Sequence, residues 1–292
     1  MERTIDFSHA DKKLFGVLHV PENNGRIDKC VLMILGGAQT RIGSHRMYVQ
    51  MARFLCKNGL PVMRFDYEGQ GDSEGDFVGF EYAGPSIRAA IDMLYDRFTS
   101  LDKLVVWALC DGATASIIYA QDDAERISGM VLANPFLESE TAKAQTILKH
   151  YYIKRLMQPE FWRKILSFHL NIRESANSLS NMMKTSVSMA EEDNWLQTGK
   201  SLSQWVLDGM NSFQKSIHVL ISTDDIQGLQ FYNLIRKDPN CKKSIKSGRI
   251  KIWFIKGGDH TFTDPQKKKI AFQQSLAAIV EGGHLQCTEF IK

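Results

Sequence analysis

Residues 103–121 read KLVVWALCDGATASIIYAQ, and this stretch decides the fold. Its first part, Lys103 to Cys110, is apolar at every position after the lysine, which is typical of a strand that is buried on both faces of a sheet. A helical pattern begins directly after it. Cys110 lies at the change from strand to helix, within Ala108-Leu109-Cys110-Asp111-Gly112. Small residues two positions before and after let the backbone make a sharp turn, so this spacing predicts an elbow with a nucleophile at its tip.

Strand and helix patterns alternate on both sides of the elbow. Two antiparallel strands come first, joined by a turn at His9 to Asp11, and six further strands follow. This order predicts a mostly parallel eight-stranded sheet flanked by helices. The strands are predicted at 3–8, 13–21, 30–37, 61–67, 103–110, 127–135, 216–223 and 249–258, and the helices at 44–58, 82–97, 111–121, 227–237 and 265–281.

The alternation stops in one long segment. Residues 137–212 contain no convincing strand and are rich in aromatic residues and methionine, so several helices fit there. A length of 292 residues suits one large domain or a core domain with an insertion. We therefore predict an α/β core formed by residues 1–136 and 213–292, and a helical lid formed by residues 137–212.

Two further chemical groups follow strands at the same edge of the predicted sheet. His260 follows the last strand, and the acidic pair Asp224-Asp225 follows the seventh. Ligands gather at the carboxyl ends of parallel strands, and the order nucleophile, acid, histidine is that of the α/β-hydrolases. Together with the elbow and the glycine loop after the third strand, this order predicts the α/β-hydrolase fold. The residues predict a Cys110–His260 pair in which a carboxylate orients the imidazole, with either Asp224 or Asp225 as the acid.

An acyl-transfer site also needs donors for the oxyanion. The backbone N–H of Asp111 is one candidate, and Ala38 or Gln39 in the loop after the third strand supplies the other. Arg41, His45 and Arg46 follow that loop and could bind a carboxylate or phosphate of the substrate. Alternatively, Ser44 caps a helix, and His45 and Arg46 are surface residues of its first turn.

The sequence resembles a known family in its motifs. Phe65 to Ser73, FDYEGQGDS, resembles the F-D-x-R-G-x-G-x-S signature of α/β-hydrolases, with Glu68 in place of the usual Arg. A closer resemblance is to the exosortase A system-associated hydrolase 1 family. Its marks are Gly36 to Arg41, Gly43 to Arg46, Leu109 to Ala113, His150 to Tyr152 with Arg155, Phe161-Trp162, Asp225, and Asp259 to Phe262.

The resemblance implies site residues and a setting. It favours Asp225 over Asp224 as the acid, and it implies that Tyr151 and Trp162 of the lid face the substrate. It also implies a cytoplasmic acyl hydrolase associated with bacterial exopolysaccharide biosynthesis. Ala38 stands where that family is expected to have Pro.

Three functions remain open at this level. The first is an esterase or thioesterase that forms a covalent acyl-Cys intermediate on a small-molecule acyl ester or thioester. The second is an acyltransferase that passes the same acyl group to a saccharide. The third is a catalytically silent hydrolase fold that acts as a binding protein, because Cys stands where Ser is commoner.

Composition excludes several classes. Lys and Arg number 36 against 33 Asp and Glu, and this net charge of +3 is too small for a nucleic-acid binder. Lys242, Lys243 and Lys246 are predicted in a solvated loop, and Lys267 to Lys269 on a solvated helix face. No apolar run is long enough to span a membrane, and the five cysteines form no CxxC pair. A cytoplasmic protein without metal or organic cofactor is expected, of unknown oligomeric state.

Overall fold

The computed structural model describes residues 1–22, 26–36, 39–77, 79–137 and 200–281. These contain one eight-stranded sheet in the order β1-β2-β4-β3-β5-β6-β7-β8. β2 is antiparallel to its neighbours β1 and β4, and every other pair is parallel, which confirms the predicted sheet. The strands are β1 (Glu2–His9), β2 (Lys12–His19), β3 (Lys29–Ile34), β4 (Val62–Phe65), β5 (Lys103–Leu109), β6 (Ile127–Ala133), β7 (Ser216–Ser222) and β8 (Ile250–Ile255).

The described ranges also contain seven α-helices. They are α1 (Met47–Lys57), α2 (Gly84–Arg97), α3 (Asp111–Tyr119), α4 (Leu202–Ser212), α5 (Ile226–Lys237), α6 (Pro239–Lys246) and α7 (Pro265–Glu281). None of these helices is long and apolar enough to cross a membrane.

The core is built on the central strands. β3 and β5 are apolar along almost their whole length because both faces are covered, and Trp107 of β5 is fully buried. Its ring lies 5.4 Å from that of Tyr48 in an edge contact, and its indole N–H donates to Ser275 Oγ at 3.0 Å. Trp107 thereby ties β5 to α1 and α7, and the strand that carries the elbow lies in the middle of the sheet.

Two elements differ from the sequence prediction. The helix predicted to begin at Ser44 begins at Met47, because Ser44–Arg46 form a 3-10 turn in which His45 and Arg46 have φ of 53° and 57°. Such left-handed backbone cannot continue an α-helix. The prediction of a loop around Lys242, Lys243 and Lys246 was wrong, because these residues lie in helix α6. Asp238 caps this helix by accepting from the N–H of Cys241, and Pro239 takes the first helical position.

The chain divides into two compact units. One comprises Met1–Phe136 and Val206–Lys292, and the other comprises Leu137–Trp205. Most of the predicted lid, residues 137–212, lies outside the described residues. The lid and the predicted domain boundaries therefore stay predictions.

Candidate active site

Cys110 occupies the turn between β5 and α3. Its φ of 61° and ψ of −134° are strained for a residue other than glycine, as at the nucleophile position of a hydrolase elbow. The backbone holds this geometry, because the Cys110 N–H donates to Ala133 O at 3.1 Å and its carbonyl accepts from Ala113 N–H at 3.0 Å. A Cβ on Gly112 would lie 2.0 Å from Leu35 O, so the small residue after the elbow is sterically required.

Asp225 and His260 meet at the ends of β7 and β8. Asp225 Oδ1 lies 3.0 Å from His260 Nδ1, and its Oδ2 accepts from Gly228 N–H at 2.8 Å as the N-cap of α5. The helix cap and the histidine contact coexist, because each carboxylate oxygen of Asp225 has one partner. Asp224 is exposed, and its recorded contacts are with Thr223 and Gly258. The structure brings Asp225 rather than Asp224 to the imidazole.

The electrostatics of His260 favour a protonated ring. His260 Nδ1 and Asp225 Oδ1 are close enough to form an ion pair. Among the described residues, however, no partner forms a well-aligned hydrogen bond with Nδ1. Burial alone would lower the pKa of His260, but Asp225 and the Cys110 thiol together raise it to about 10. The side chain is 31% exposed, so the imidazole is reachable from solvent, and the raised pKa means that Asp225 and Cys110 stabilise its protonated form.

Asn134 joins the loops around His260, and sequence reasoning missed it. Its amide nitrogen donates to His260 O at 2.9 Å and to Ser222 Oγ at 3.0 Å, and its oxygen accepts from Ser222 N–H at 2.7 Å. The side chain is fully buried, and its φ of 41° is left-handed, which Asn tolerates better than most residues. The Asn-Pro pair after β6 was the available signal, because it marks a turn at the same edge as Cys110.

Gln227 also reaches the elbow, although the sequence analysis did not select it. The Cys110 thiol donates to Gln227 Oε1, with Sγ and Oε1 3.9 Å apart. The only available signal was proximity in sequence, because Gln227 comes two residues after Asp225.

The oxyanion side is described in part. Gln39 Oε1 accepts from Ser44 N–H at 2.9 Å, and Ala38 lies outside the described residues. Tyr48 Oη donates to Ile34 O at 3.0 Å, and Tyr67 Oη donates to Leu35 O at 2.9 Å. Burial raises the pKa of both tyrosines well above the ordinary value, so both hydroxyls remain donors that hold the end of β3. Asp111 begins α3, and the roles of its N–H, Gln39 and Ala38 stay predictions.

The proposed substrate-binding cations have different surroundings. The backbone N–H and guanidinium of Arg41 bind the fully buried Asp66, and the guanidinium also binds Asp72. His45 and Arg46 are exposed, and Ser44 lies inside the turn that Gly43 begins, so it does not act as the N-cap. Tyr151 and Trp162 lie outside the described residues.

A metal site does not emerge from the part of the chain that the structure describes. No group of three or more His, Cys, Asp or Glu in those ranges could hold a metal ion.

Solved structures with the same fold are numerous. An esterase of Pyrococcus furiosus is 17% identical, with a TM-score of 0.62 over 95% of this chain and 89% of that one. An esterase of Butyrivibrio proteoclasticus with bound ferulic acid is 14% identical, with a TM-score of 0.60 over 95% and 100% of the two chains. A dienelactone hydrolase of Anabaena variabilis is 12% identical, with a TM-score of 0.59 over 94% and 95%. At these identities the likeness shows the fold.

Comparison of the sequence itself gives the family. No curated protein matches the chain. The family described as "Serine aminopeptidase, S33" matches residues 28–281, which include the elbow, Asp225 and His260. The chain therefore belongs to this family and is an α/β-hydrolase.

Proposed function

We propose that this protein is an acyl hydrolase of the esterase or thioesterase type that uses Cys110, His260 and Asp225 and forms an acyl-Cys intermediate. The observation that carries the proposal is the convergence of three groups from distant parts of the chain. A strained elbow presents Cys110, whose thiol contacts His260, and His260 in turn lies 3.0 Å from the buried Asp225. The neighbouring folds that are named esterases support ester chemistry.

The reaction follows from these positions. The thiol proton passes to His260, and the sulfur attacks the acyl carbon, which becomes tetrahedral with a negative oxygen. Backbone N–H groups of Asp111 and of the loop after β3 stabilise that oxygen. The C–O or C–S bond to the leaving group breaks, and His260 returns its proton to the leaving group. Water then attacks the acyl-Cys while giving a proton to His260. The C–S bond breaks, the carboxylic acid leaves, and His260 returns the proton to the sulfur, which restores the free thiol.

The raised pKa of His260 suits cysteine chemistry. A histidine that holds its proton next to the sulfur favours an imidazolium beside a thiolate, which is the nucleophilic form of cysteine. Asp225 stabilises that imidazolium and fixes the ring, as the acid of a triad does. A serine at position 110 would be far harder to ionise, so the same surroundings fit Cys better than Ser.

A finer proposal concerns the setting. The motif resemblance to the exosortase A system-associated hydrolase 1 family supports a cytoplasmic enzyme that acts on acyl groups near exopolysaccharide assembly. An acyl group on a saccharide, or a saccharide hydroxyl as acceptor, would then be the physiological chemistry.

The test compares two cysteine variants. Cys110→Ala is expected to lower turnover of p-nitrophenyl acetate and of acyl-CoA by about 10⁴-fold, because no nucleophile remains. Cys56→Ala is the matched control, since Cys56 is a half-buried free thiol of α1 outside the site. Mass spectrometry of wild type after rapid quenching should find the acyl group on the Cys110 peptide. Undiminished turnover in Cys110→Ala would refute the proposal.

Alkylation separates the enzyme from a silent binding protein. Iodoacetamide should modify Cys110 of wild type faster than Cys56 at neutral pH, and His260→Ala should remove the difference. Equal rates at the two cysteines would favour a fold that has no activated thiolate. Addition of a saccharide acceptor, followed by product analysis, distinguishes hydrolysis from transfer.

A further inference from the structure

The amide of Gln227 is in direct contact with the sulfur that is proposed to react. Sγ of Cys110 and Oε1 of Gln227 are 3.9 Å apart, a distance at which the thiol donates a hydrogen bond to the amide oxygen. Gln227 is half-buried and lies in the first turn of α5. An amide side chain carries two N–H donors besides this oxygen, and it remains neutral at every pH at which proteins fold.

The contacts that fix the triad acid also fix the position of Gln227. Asp225 caps the turn by accepting from Gly228 N–H, so the residues between them are held in place. Gly228 has no room for a side chain, because a Cβ there would lie 2.9 Å from Asp225 Oδ2 and 3.1 Å from Asn134 Oδ1. The backbone of Gln227 is therefore as rigidly placed as that of Asp225.

The strand order shows from which side the amide approaches. β3, whose loop is proposed to bind the oxyanion, lies next to β5 on one side, and β6, β7 and β8 lie on the other. Gln227 follows β7 and His260 follows β8, so both reach Cys110 from the side opposite the oxyanion loop. On that side the histidine delivers a proton to the leaving group and receives one from water. Gln227 therefore borders the path of the leaving group and of the attacking water.

We propose that Gln227 is a catalytic residue that hydrogen-bonds the reacting sulfur and orients the water that hydrolyses the acyl-Cys. This inference rests on the acyl-Cys chemistry proposed above. When Cys110 is a thiol, Gln227 Oε1 accepts a hydrogen bond from its S–H group. When that proton passes to His260, rotation of the amide turns an N–H towards the thiolate. In the acyl-Cys, the oxygen of Gln227 accepts a hydrogen bond from one O–H of the incoming water while His260 takes the proton of the other O–H and the O–C bond forms. The C–S bond then breaks, and His260 returns its proton to the sulfur.

Ionisable groups lie around the Cys110 sulfur that this neutral amide contacts. His260 comes from the loop after β8, Asp225 from the start of α5 and Asp111 from the start of α3, and the Tyr48 hydroxyl lies behind the elbow. His260 is the one cation among these four. A carboxylate in place of the amide would add a negative charge directly beside the sulfur and oppose thiolate formation.

Two variants test the inference. Gln227→Leu keeps the size of the side chain and removes its hydrogen bonds, and Gln227→Glu keeps an acceptor but adds charge. With p-nitrophenyl acetate, Gln227→Leu is expected to keep a rapid burst of nitrophenol while the steady-state rate falls about tenfold or more, because deacylation loses its oriented water. Gln227→Glu is expected to lower the iodoacetamide alkylation rate of Cys110 at neutral pH by about tenfold or more. Gln273→Glu, on the exposed surface of α7, is the matched control and should change neither rate.

The two readouts separate this inference from the proposed function. Alkylation requires no substrate, so an unchanged Cys110 rate in Gln227→Glu overturns the contact whatever the enzyme hydrolyses. A burst and a steady-state rate that fall together in Gln227→Leu, or that both remain at the wild-type values, overturn the role in deacylation. Absence of a burst and of an acyl-Cys peptide in wild type would refute the proposed acyl-Cys function, and with it the deacylation role. An altered alkylation rate in Gln227→Glu would still establish the contact with sulfur.

Discussion

The two sides of the Cys110 elbow use charged residues in opposite ways. On the side of β3 and the loop that follows it, Arg41 is bound by Asp66 and Asp72, and its carbonyl accepts a hydrogen bond from the Arg64 guanidinium at 2.8 Å. On the histidine side, Asp225 has one oxygen on a helix cap and the other on an imidazole that also contacts the sulfur. The first group of charges holds backbone in place, and the second is available for proton transfer.

The comparison shows that residue type alone does not identify a binding residue. Arg41 has the charge expected of a carboxylate or phosphate ligand, yet its guanidinium is occupied by two carboxylates of the same chain. Asp66, the aspartate of the FDYEGQGDS motif, is fully buried and also accepts from the Arg41 N–H. Gly71 is needed beside it, because a Cβ would lie 2.1 Å from Asp66 Oδ2. Much of that motif therefore serves to anchor the segment that follows the oxyanion loop.

Asp225→Asn should have the largest effect, and it should act on activity. The amide retains the cap to Gly228 but loses the charge, so we expect turnover to fall by up to about 10⁴-fold with little loss of folded protein. The pKa of His260 should fall from about 10 towards its ordinary value of 6.5. NMR titration of the imidazole and steady-state kinetics measure these changes.

The same variant makes a prediction about stability and pH. A folded-state pKa above the unfolded value means that protonated His260 stabilises the fold fully below about pH 6.5, and that this contribution is lost as the pH rises through about 10. The stability advantage of wild type over Asp225→Asn, measured by urea unfolding, should therefore shrink across that range. Asp224→Asn is the control, and a comparable loss of activity there would reassign the acid.

Asp66→Ala should have the next largest effect, and it should act on stability. Removal of a fully buried carboxylate leaves Arg41 without its buried partner, and we expect a loss of about 3–5 kcal/mol in the free energy of unfolding. Asp72→Asn changes the exposed partner of the same arginine and should cost less than about 1 kcal/mol. Equal losses in the two variants, measured by urea unfolding, would show that burial does not distinguish these ion pairs.

The smallest effect is expected at the 3-10 turn before α1. His45→Gly and Arg46→Gly relieve left-handed backbone and should each raise the free energy of unfolding by up to about 1 kcal/mol. His45→Ala and Arg46→Ala remove the side chains but keep the strain, and these should be neutral or slightly destabilising. We expect KM to be unchanged in all four. A rise in KM shared by the Gly and Ala variants at one position would assign substrate binding to that side chain.

Sequence patterns predicted the sheet well, because a strand that is buried on both faces appears in the sequence as an apolar run. Such a run can be recognised without knowledge of distant residues. KCVLMI of β3 and KLVVWAL of β5 were both recognisable in this way. The elbow was recognisable because sterics require small residues around it, and Gly36 and Gly112 lie against backbone that leaves no room for a Cβ.

The unpredicted features depend on contacts between distant segments. The Asn-Pro pair indicates a turn but does not predict the hydrogen bond from Asn134 to His260 O. In the same way, the closeness of Gln227 to Asp225 in sequence does not predict a contact with Cys110. The late start of α1 is a local feature, but it depends on a left-handed backbone that His and Arg rarely adopt. Helix α6 was missed because its polar, lysine-rich sequence has few apolar positions, although Asp238 and Pro239 formed a recognisable start signal.

The strand order also has a consequence for folding. β1 and β2 form a hairpin between chain neighbours and can pair early, whereas the parallel pairs require long crossovers whose closure is slow. Cys110 follows the fifth strand, yet its proposed partners follow the seventh and eighth, and β8 forms an edge of the sheet. During synthesis the elbow therefore leaves the ribosome well before the histidine that would activate it. Under the proposed mechanism, the reactive thiolate would form only when the last strand docks, and incompletely folded chains would carry an ordinary, less reactive cysteine.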